Sequence, residues 1–526
     1  MTMAITKDDQ VTANRLVLDA LAMQIKVRPD RDFLRFRERN YTYAEFAEAY
    51  RNIAGGLAAF GVSRHDIVPA FFPNSGPAVE VWFALMHLGA VWAPINTEFR
   101  GTQLVHALNL MESDTLIVDE PYLEQIVEAL PSLLHVRRII LHGAEELPKY
   151  DNIEFTEFDQ LPDAGPPPRA EVERAEVAMI QFTSGSSGVS KAVQLSHGYL
   201  DGQGSGFSEV FDLSEADVLY CPFPLYHWDA TVGTVITALK SGGTAALARK
   251  FSVSGFWDDI RFFGATVFDF MGATLTFVYR LPERPDDAGN GVRFAWGVPM
   301  PEFKEDFERR FDLKLIEGYG STEGGISVFQ YFGEEYPPGS CGRAAPGFKL
   351  KIVDDDGTEL PTGEVGEIIS RPDDPTQMMN GYFKMPEVNA ELIRDGWYHT
   401  GDLGRIDKGG NLFFAGRKKD VIRRRGENMS ALEIEHAIDG HPDVSEVAAY
   451  GVPSEYSEEE VAISIVVRDG CTLTEQAVLD YCAGKMARYM IPEHILFIDA
   501  LPKTPTEKVA KAELKKLHAD VIQQGK

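Results

Sequence analysis

Short apolar runs alternate with helix-like stretches from residue 67 onward, and no other feature restricts the possible folds of this chain as strongly. IVPAFF (67–72) is followed by Pro-Asn-Ser-Gly and an apolar helical stretch over 78–89. VWAPIN (91–96), TLIVDE (115–120) and RRIILH (137–142) read as further strands. Strands alternating with helices predict α/β layers around a mostly parallel sheet. Two stretches of helical spacing, 11–26 and 44–60, come first, the second stopped by Gly61.

After a Pro/Gly-rich surface link, LPDAGPPPRA (161–170), a second α/β series runs from about Glu176 to Phe311. From Phe348 to Asn411 the texture changes to short strands with Asp-Gly and Gly-Gly turns, as in KLKIVDDDG, GEVGEIISR and GDLGRIDKGGNLFFAGR. That section predicts a small antiparallel β unit. A last α/β piece of about one hundred residues, with VSEVAAYGV and AISIVVRDG, follows Gly416. At 526 residues the chain exceeds one ordinary core, so two or more domains are expected.

The net charge of −29 opposes general attraction to nucleic acid or to anionic membranes, although an anion needs only a local positive pocket. Cys221, Cys341, Cys471 and Cys482 are scattered without C-x-x-C spacing, which argues against a disulfide framework or zinc site and suits a reducing cytoplasm. The first ten residues, with Lys7, Asp8 and Asp9, lack a signal-peptide core. No stretch reaches the ~18 apolar residues of a spanning helix. The expectation is a cytoplasmic enzyme.

The chemistry-bearing segments begin with QFTSGSSGVSKAVQLSHG (181–198), placed after the apolar strand VAMIQF and before a helix-like stretch. Its small residues can turn backbone N–H groups toward an anion, with hydroxyls from Thr183, Ser184, Ser186 and Ser187 and a mobile charge on Lys191. It fails the G-x-x-x-x-G-K-[ST] pattern, since Ser190 precedes Lys191 and Ala192 follows it. Alone, the string reads equally well as a Ser/Gly surface loop. GYGSTEGG (318–325) adds a hydroxyl beside a carboxylate, Thr322 and Glu323, suited to a phosphate and its magnesium, with Tyr319 able to stack on a base. YHTGDLGRID (398–407) sets Asp402 in what reads as a tight loop, where it can take two ribose hydroxyls. GRKKDVIRRRGENMSALEIE (416–435) and LPKTPTEKVAKAEL (501–514) end the series.

TSGSSGVSK, YGSTE, TGD, GRKKD with RGEN and EIE, and PTEK stand in the order and at the intervals of the acyl-/aryl-CoA synthetase, adenylation-domain and luciferase superfamily of AMP-forming enzymes, which this chain resembles. YTYAEF (41–46) and ALMHLGAVWAPINTEFR (84–100) resemble its N-terminal signatures, so the likeness spans nearly the whole chain. The resemblance implies an α/β fold: a large N-terminal domain of α/β layers with a small β-barrel-like subdomain (1–418), and a small, mobile α+β C-terminal domain (419–526).

It also implies roles. Thr183, Ser184, Gly185, Ser186, Ser187, Gly188 and Lys191 would hold the β- and γ-phosphates of ATP. Thr322 would bind the α-phosphate and Glu323 the Mg²⁺, within a nucleotide-binding run that includes Gly320 and Ser321. Tyr319 would flank the adenine, with the Gly297–Val298–Pro299 backbone on its other face. Asp402, helped by Arg417, would hold the ribose. Lys508 would be the catalytic lysine, Lys419 the hinge, and the loop around Gly426 a lining of the thiol channel. Two departures stand out: Ser190 and Ala192 where the family commonly has Pro and Gly, and Glu507 where Gly often precedes the lysine. Neither removes a charged or metal-binding group.

CPFPLYHWDATVG (221–233) falls where the family lines its acyl pocket, with FAWGVPMP (294–301) opposite. Tyr226, His227, Trp228 and Trp296 are the expected aromatic wall. Asp229 reads two ways: it pairs with the protein, or it meets a positive group on the substrate, where aromatic faces suit a quaternary ammonium. HWDA, RRRGEN and TPTEK resemble the crotonobetaine/carnitine-CoA ligase branch. The expected activity is therefore ATP-dependent acid–thiol ligation to coenzyme A. The alternatives are an adenylation enzyme serving a carrier-protein thiol or an amine, and a luciferase-type oxidative enzyme. The basic run Arg417–Lys419 with Arg423–Arg425 is broken by Asp420 and does not predict nucleic-acid binding. His436 and His441 read as surface helix residues, and a homodimer is the prior for assembly.

Overall fold

The computed structural model describes residues 16–162, 164–183, 190–424, 427–454, 459–483, 485–503 and 509–524. The chain packs as two compact units. The first runs to Tyr336 and takes in Gly342–Lys349 and Arg371–Gly396. The second comprises Pro337–Cys341, Leu350–Ser370 and Trp397–Lys526.

The first unit contains two large sheets. One has eight strands, in the order Gly381–Tyr382, Lys191–Ser196, Val177–Thr183, Val91–Pro94, Ile67–Phe71, Thr115–Asp119, Arg138–His142 and Glu154–Glu157. Its pairings are parallel apart from those of Lys191–Ser196 with its two neighbours, which are antiparallel. The other has nine strands, and its middle is parallel: Lys314–Ser321, Phe294–Val298, Val267–Met271, Val218–Cys221, Thr244–Leu247 and Asp32–Arg35 lie side by side. Strands buried on both faces need continuous apolar runs, which is why IVPAF and TLIVD are legible as strands.

Helix boundaries follow local chemistry. Thr42 and Glu45 form a capping box at the start of Tyr43–Phe60, and Gly61 ends that helix in the left-handed region at φ 105°. Ser75 caps Gly76–Leu88, a helix buried on almost every side. Its Phe83 meets Phe33, Phe46 and Tyr50 edge-on or tilted, and Trp82 stacks on Trp92. Among the described residues no helix is long and apolar enough to cross a membrane.

In the second unit Gly366–Pro372 pairs antiparallel with Trp397–Ile406, which pairs antiparallel with Leu412–Arg417. A hairpin, Val421–Arg424 with Glu427–Ser430, leads into the helix Ala431–Asp439 and a three-stranded sheet of Val444–Pro453, Glu459–Val467 and His494–Phe497. Ile422, Ile434, Ile438, Val461 and Ile463 are among its core. Arg424 belongs to that interior and not to a basic face. It is 5% exposed, pairs with Glu460 and Glu493, and donates to the carbonyls of Tyr489 and Ile491. The α/β expectation, with a large N-terminal part and a smaller C-terminal one, holds.

Candidate active site

Residues of the first unit expected to face a nucleotide come together from both of its large sheets, as the contact between Thr183 and Glu323 shows. Thr183 and Lys191 are register partners at the end of an antiparallel strand pair next to residues 184–190. The segment after the loop is thus a six-residue strand, Lys191–Ser196, and the helix starts only at His197, capped by Ser196. The alternation in KAVQLS is too short to separate from a helical face by spacing alone. Ser184, Gly185, Ser186, Ser187 and Gly188 lie outside the described residues, as do Gly426 and Lys508.

Thr322 and Glu323 occupy the turn between Lys314–Ser321 and Gly325–Phe329, whose ends pair at Ser321 and Gly325. Gly324 N donates to Ser321 Oγ (3.1 Å), and Tyr199 Oη donates to the Thr322 carbonyl (2.8 Å), fixing the turn from the helix His197–Val210. Tyr319 and Gly320 are on the incoming strand. A Cβ on Gly320 would lie 2.3 Å from the Gly325 carbonyl oxygen, so only glycine lets the two strands close this tightly.

Glu323 is the centre of the group. Its Oε1 accepts from Tyr382 Oη at 2.8 Å and from Thr183 Oγ1 at 3.4 Å, while its backbone carbonyl accepts from Met379 N at 2.8 Å. Among the described residues none donates to Oε2. Lys191 Nζ lies 4.8 Å from the centre of the Tyr382 ring, and among the described residues no carboxylate pairs with it. Structure therefore joins Thr183, Lys191 and Glu323 and adds Tyr382, which the sequence reading missed. The segment MMNGYFK carries no spacing signal; its strand pairing with Lys191–Ser196 is what brings Tyr382 in. A carboxylate oxygen beside an unpaired ammonium fits a hard divalent cation together with a polyphosphate.

Gly297, Val298 and Pro299 end the strand Phe294–Val298, and the Val298–Pro299 bond is cis. Gly297 sits against the Phe270 carbonyl, which a Cβ there would approach to 1.9 Å. One strand over, the partly buried Glu317 accepts from Met300 N at 3.3 Å, and loss of solvent around its carboxyl pushes it up to about 7.

The expected acyl wall is split. Trp228 and Trp296 are each 6% exposed, cross edge-to-face with centres 6.1 Å apart, and both pack on Phe207. Tyr226 and His227 are only half-buried, their rings 4.9 Å apart, and the Tyr226 hydroxyl is bonded to Thr97. Asp229 opens the π-helix Asp229–Ile236 and is half-buried. Behind it, fully buried Asp269 bonds Thr234 Oγ1 (3.1 Å) and the Cys221 thiol. Burial is the first cause that raises the pKa of both; the Asp229 charge comes next for Asp269, whereas for Cys221 the Asp269 charge precedes that of Asp229.

In the second unit Asp402 lies on the strand Trp397–Ile406 and not in a loop; Gly401, at φ 69°, gives TGDLG its turn-like look. Asp402 is the register partner of Arg417, with Oδ1 to Nε 3.7 Å, and its N–H donates to Thr400 Oγ1 at 3.0 Å. Lys419 is in a short 3-10 turn, Lys418–Asp420, where neighbouring Lys418 pairs with Asp355 and Glu367.

The Thr183, Lys191, Glu323 and Tyr382 group suits a nucleotide, and comparison with known proteins supplies the class. The family model for the AMP-binding enzyme matches residues 21–383, and that for the AMP-binding enzyme C-terminal domain matches 433–508. Steroid-22-oyl-CoA synthetase of Rhodococcus jostii is 31% identical, with 96% of this chain and 91% of that protein covered. Crotonobetaine/carnitine–CoA ligase of Salmonella heidelberg is 28% identical, with 91% and 93% covered. ATP-bound MatB of Rhodopseudomonas palustris superposes with a TM-score of 0.86 at 25% identity, covering 96% of this chain and 100% of that one. The chain belongs to the AMP-binding enzyme family and is a ligase of its acyl-CoA synthetase class.

Proposed function

We propose that this enzyme activates a carboxylic acid in two half-reactions. The carboxylate attacks the α-phosphorus of ATP to give acyl-adenylate and pyrophosphate. The thiol of coenzyme A then attacks the acyl carbonyl, releasing AMP and a proton. The observation that carries this reading is the Thr183–Lys191–Glu323–Tyr382 group. Two anions must meet in the first step, so positive charge and donors placed for the transition state dominate its rate. Lys191 and Thr183 would hold the departing pyrophosphate, Thr322 the α-phosphate, and Tyr319 with Gly297–Pro299 the adenine. Asp402 with Arg417 would hold the ribose, and Lys508 would bring charge to the reacting oxygens. Glu323 would hold Mg²⁺, which when bound supplies charge to the phosphate oxygens. The C-terminal piece, 419–526, would move about Lys419 between the half-reactions.

The relatives act on unlike acids, a steroid acid and crotonobetaine or carnitine, so family membership does not choose the substrate. The acid proposed is betaine-like. Its support is the half-buried Asp229, whose charge is felt by two buried groups and would hold a cation beside the rings of Tyr226 and His227. The test is pyrophosphate release across a panel of acids, with and without coenzyme A, for wild type and Asp229→Asn. Turnover of betaine-type acids that falls at least tenfold in the variant, while neutral acids hold, supports both readings. Unchanged selectivity removes the betaine-like acid, and full turnover without coenzyme A removes it as acceptor.

A further inference from the structure

We propose that Tyr382 is a positioning residue that keeps Glu323 and Lys191 apart and aimed, so that one remains available to a cation and the other to phosphate. This rests on the metal reading of Glu323. The hydroxyl and the ring do different jobs. The hydroxyl donates to Glu323 Oε1 at 2.8 Å, which fixes the carboxylate plane and occupies one of its two oxygens. The ring face receives the Lys191 ammonium at 4.8 Å, a distance at which the attraction of a cation to the π cloud holds it without neutralising it. Lys191 and Glu323 form no ion pair with each other, although both touch the same side chain. Were they to collapse together, each would cancel the charge that the other half of the site needs.

The backbone is built to hold this side chain still. Gly381–Tyr382 is a two-residue strand paired with Lys191–Ser196, Tyr382 opposite Val193. Asn389 Oδ1 accepts from Tyr382 N at 2.7 Å, and Asn389 Nδ2 donates to the Tyr382 carbonyl at 2.9 Å. Two neighbours are tied to the same framework, Met379 N to the Glu323 carbonyl and Phe383 N to the Ala192 carbonyl, each at 2.8 Å. The residue is 7% exposed, so its hydroxyl is satisfied by protein partners, Glu323 among them.

Hydrogen-bond partners that orient a metal-binding carboxylate typically matter by about 10–100-fold in metal affinity. The experiment measures Mn²⁺ binding by electron paramagnetic resonance on the full chain with ATP and no acid, for wild type, Tyr382→Phe, Tyr382→Leu and Glu323→Gln. It is paired with the Mg²⁺ concentration giving half-maximal pyrophosphate exchange, and with KM for the acid. Tyr382→Phe, which keeps the ring, should weaken Mn²⁺ by about tenfold or more and raise the Mg²⁺ requirement in step, with KM for the acid unchanged. Tyr382→Leu should in addition raise KM for ATP, because Lys191 loses its seat. Mn²⁺ binding at wild-type strength in Tyr382→Phe, with binding lost in Glu323→Gln, overturns the role of Tyr382 alone. Wild-type binding in Glu323→Gln overturns the metal reading itself. Should Tyr382→Phe fail to fold, Tyr382→Trp repeats the test with a ring and no hydroxyl at that place, under the same criteria.

Discussion

Two titrating residues of the first unit make the fold less stable as pH rises, each for a different reason. Glu317 has its carboxyl pushed from 4.5 up to about 7, chiefly by burial. The folded state therefore binds this proton more tightly than the unfolded chain, and stability declines as pH rises from about 4.5 through 7. Glu317→Gln keeps the shape and an acceptor for Met300 N–H but has no charge to bury. It should melt with wild type near pH 5 and a few degrees above it at pH 8; an offset that does not change with pH would contradict the burial argument. His142 changes stability in the same direction but in a higher pH window, and through a charge partner, not through burial. Asp119 Oδ1 lies 2.6 Å from its Nδ1 and holds the imidazole above its ordinary 6.5. That stabilisation is complete below 6.5 and disappears as pH climbs through the raised folded value. Asp119→Asn should thus lower the melting temperature at pH 6 and have much less effect at pH 9. At this scale the sequence was readable only where a signature surrounds the residue. Glu323 and Asp402 stand in ordered strings, whereas Tyr382 acts on Lys191 and Glu323 from 191 and 59 positions away, and nothing local to it announces the contact.

Elements were easier to read than their ends. Apolar strands and capped helices show in composition, because a strand buried on both faces cannot carry polar residues and a helix must satisfy its first N–H groups. The errors came where short polar alternation or glycine imitates something else: Lys191–Ser196 is a strand before the helix, and Asp402 sits within a strand. The π-helix Asp229–Ile236 is not announced by WDATVG either, and Trp228, expected in an aromatic wall, is 6% exposed. Gly233 in this helix explains how both indoles fit. A Cβ there would stand 3.0 Å from an atom of Trp228 and 3.0 Å from one of Trp296. Neither ring can yield easily, because Phe207 packs on both. Gly233→Ala should cost about 1–3 kcal/mol of stability through overpacking. Denaturant melts check this, and Gly233→Ala with Trp296→Phe should recover part of the loss. Equal losses in the single and double variants would place the strain elsewhere.

At the scale of the whole molecule, the groups proposed for one nucleotide are shared between two separately packed units. Lys191, Thr322 and Glu323 belong to the first; Asp402, Arg417 and, by its place in the chain, Lys508 belong to the second. The change of texture after Phe348 marks where the chain first leaves the first unit for a long stretch, at Leu350, although the sequence reading kept that β section with residues 1–418. The membership of Pro337–Cys341 in the second unit was not legible, because it depends on a backbone pairing of Cys341 N with the Leu412 carbonyl, a contact far apart in sequence. The division has a kinetic consequence. With the proposed roles, the first half-reaction brings two anions together and would need the Lys508 charge, whereas thiol attack on a finished acyl-adenylate has AMP as its leaving group and would not. Lys508→Ala should therefore reduce adenylate formation by about a thousandfold or more, the scale on which a transition-state charge partner acts. It should leave thioester formation from premade acyl-adenylate within a few-fold of wild type. Each rate is read separately, pyrophosphate exchange for the first and acyl-CoA release from supplied adenylate for the second. If both fall together, the lysine serves the two steps alike, and a C-terminal piece that exchanges one set of groups for another between them is the wrong description.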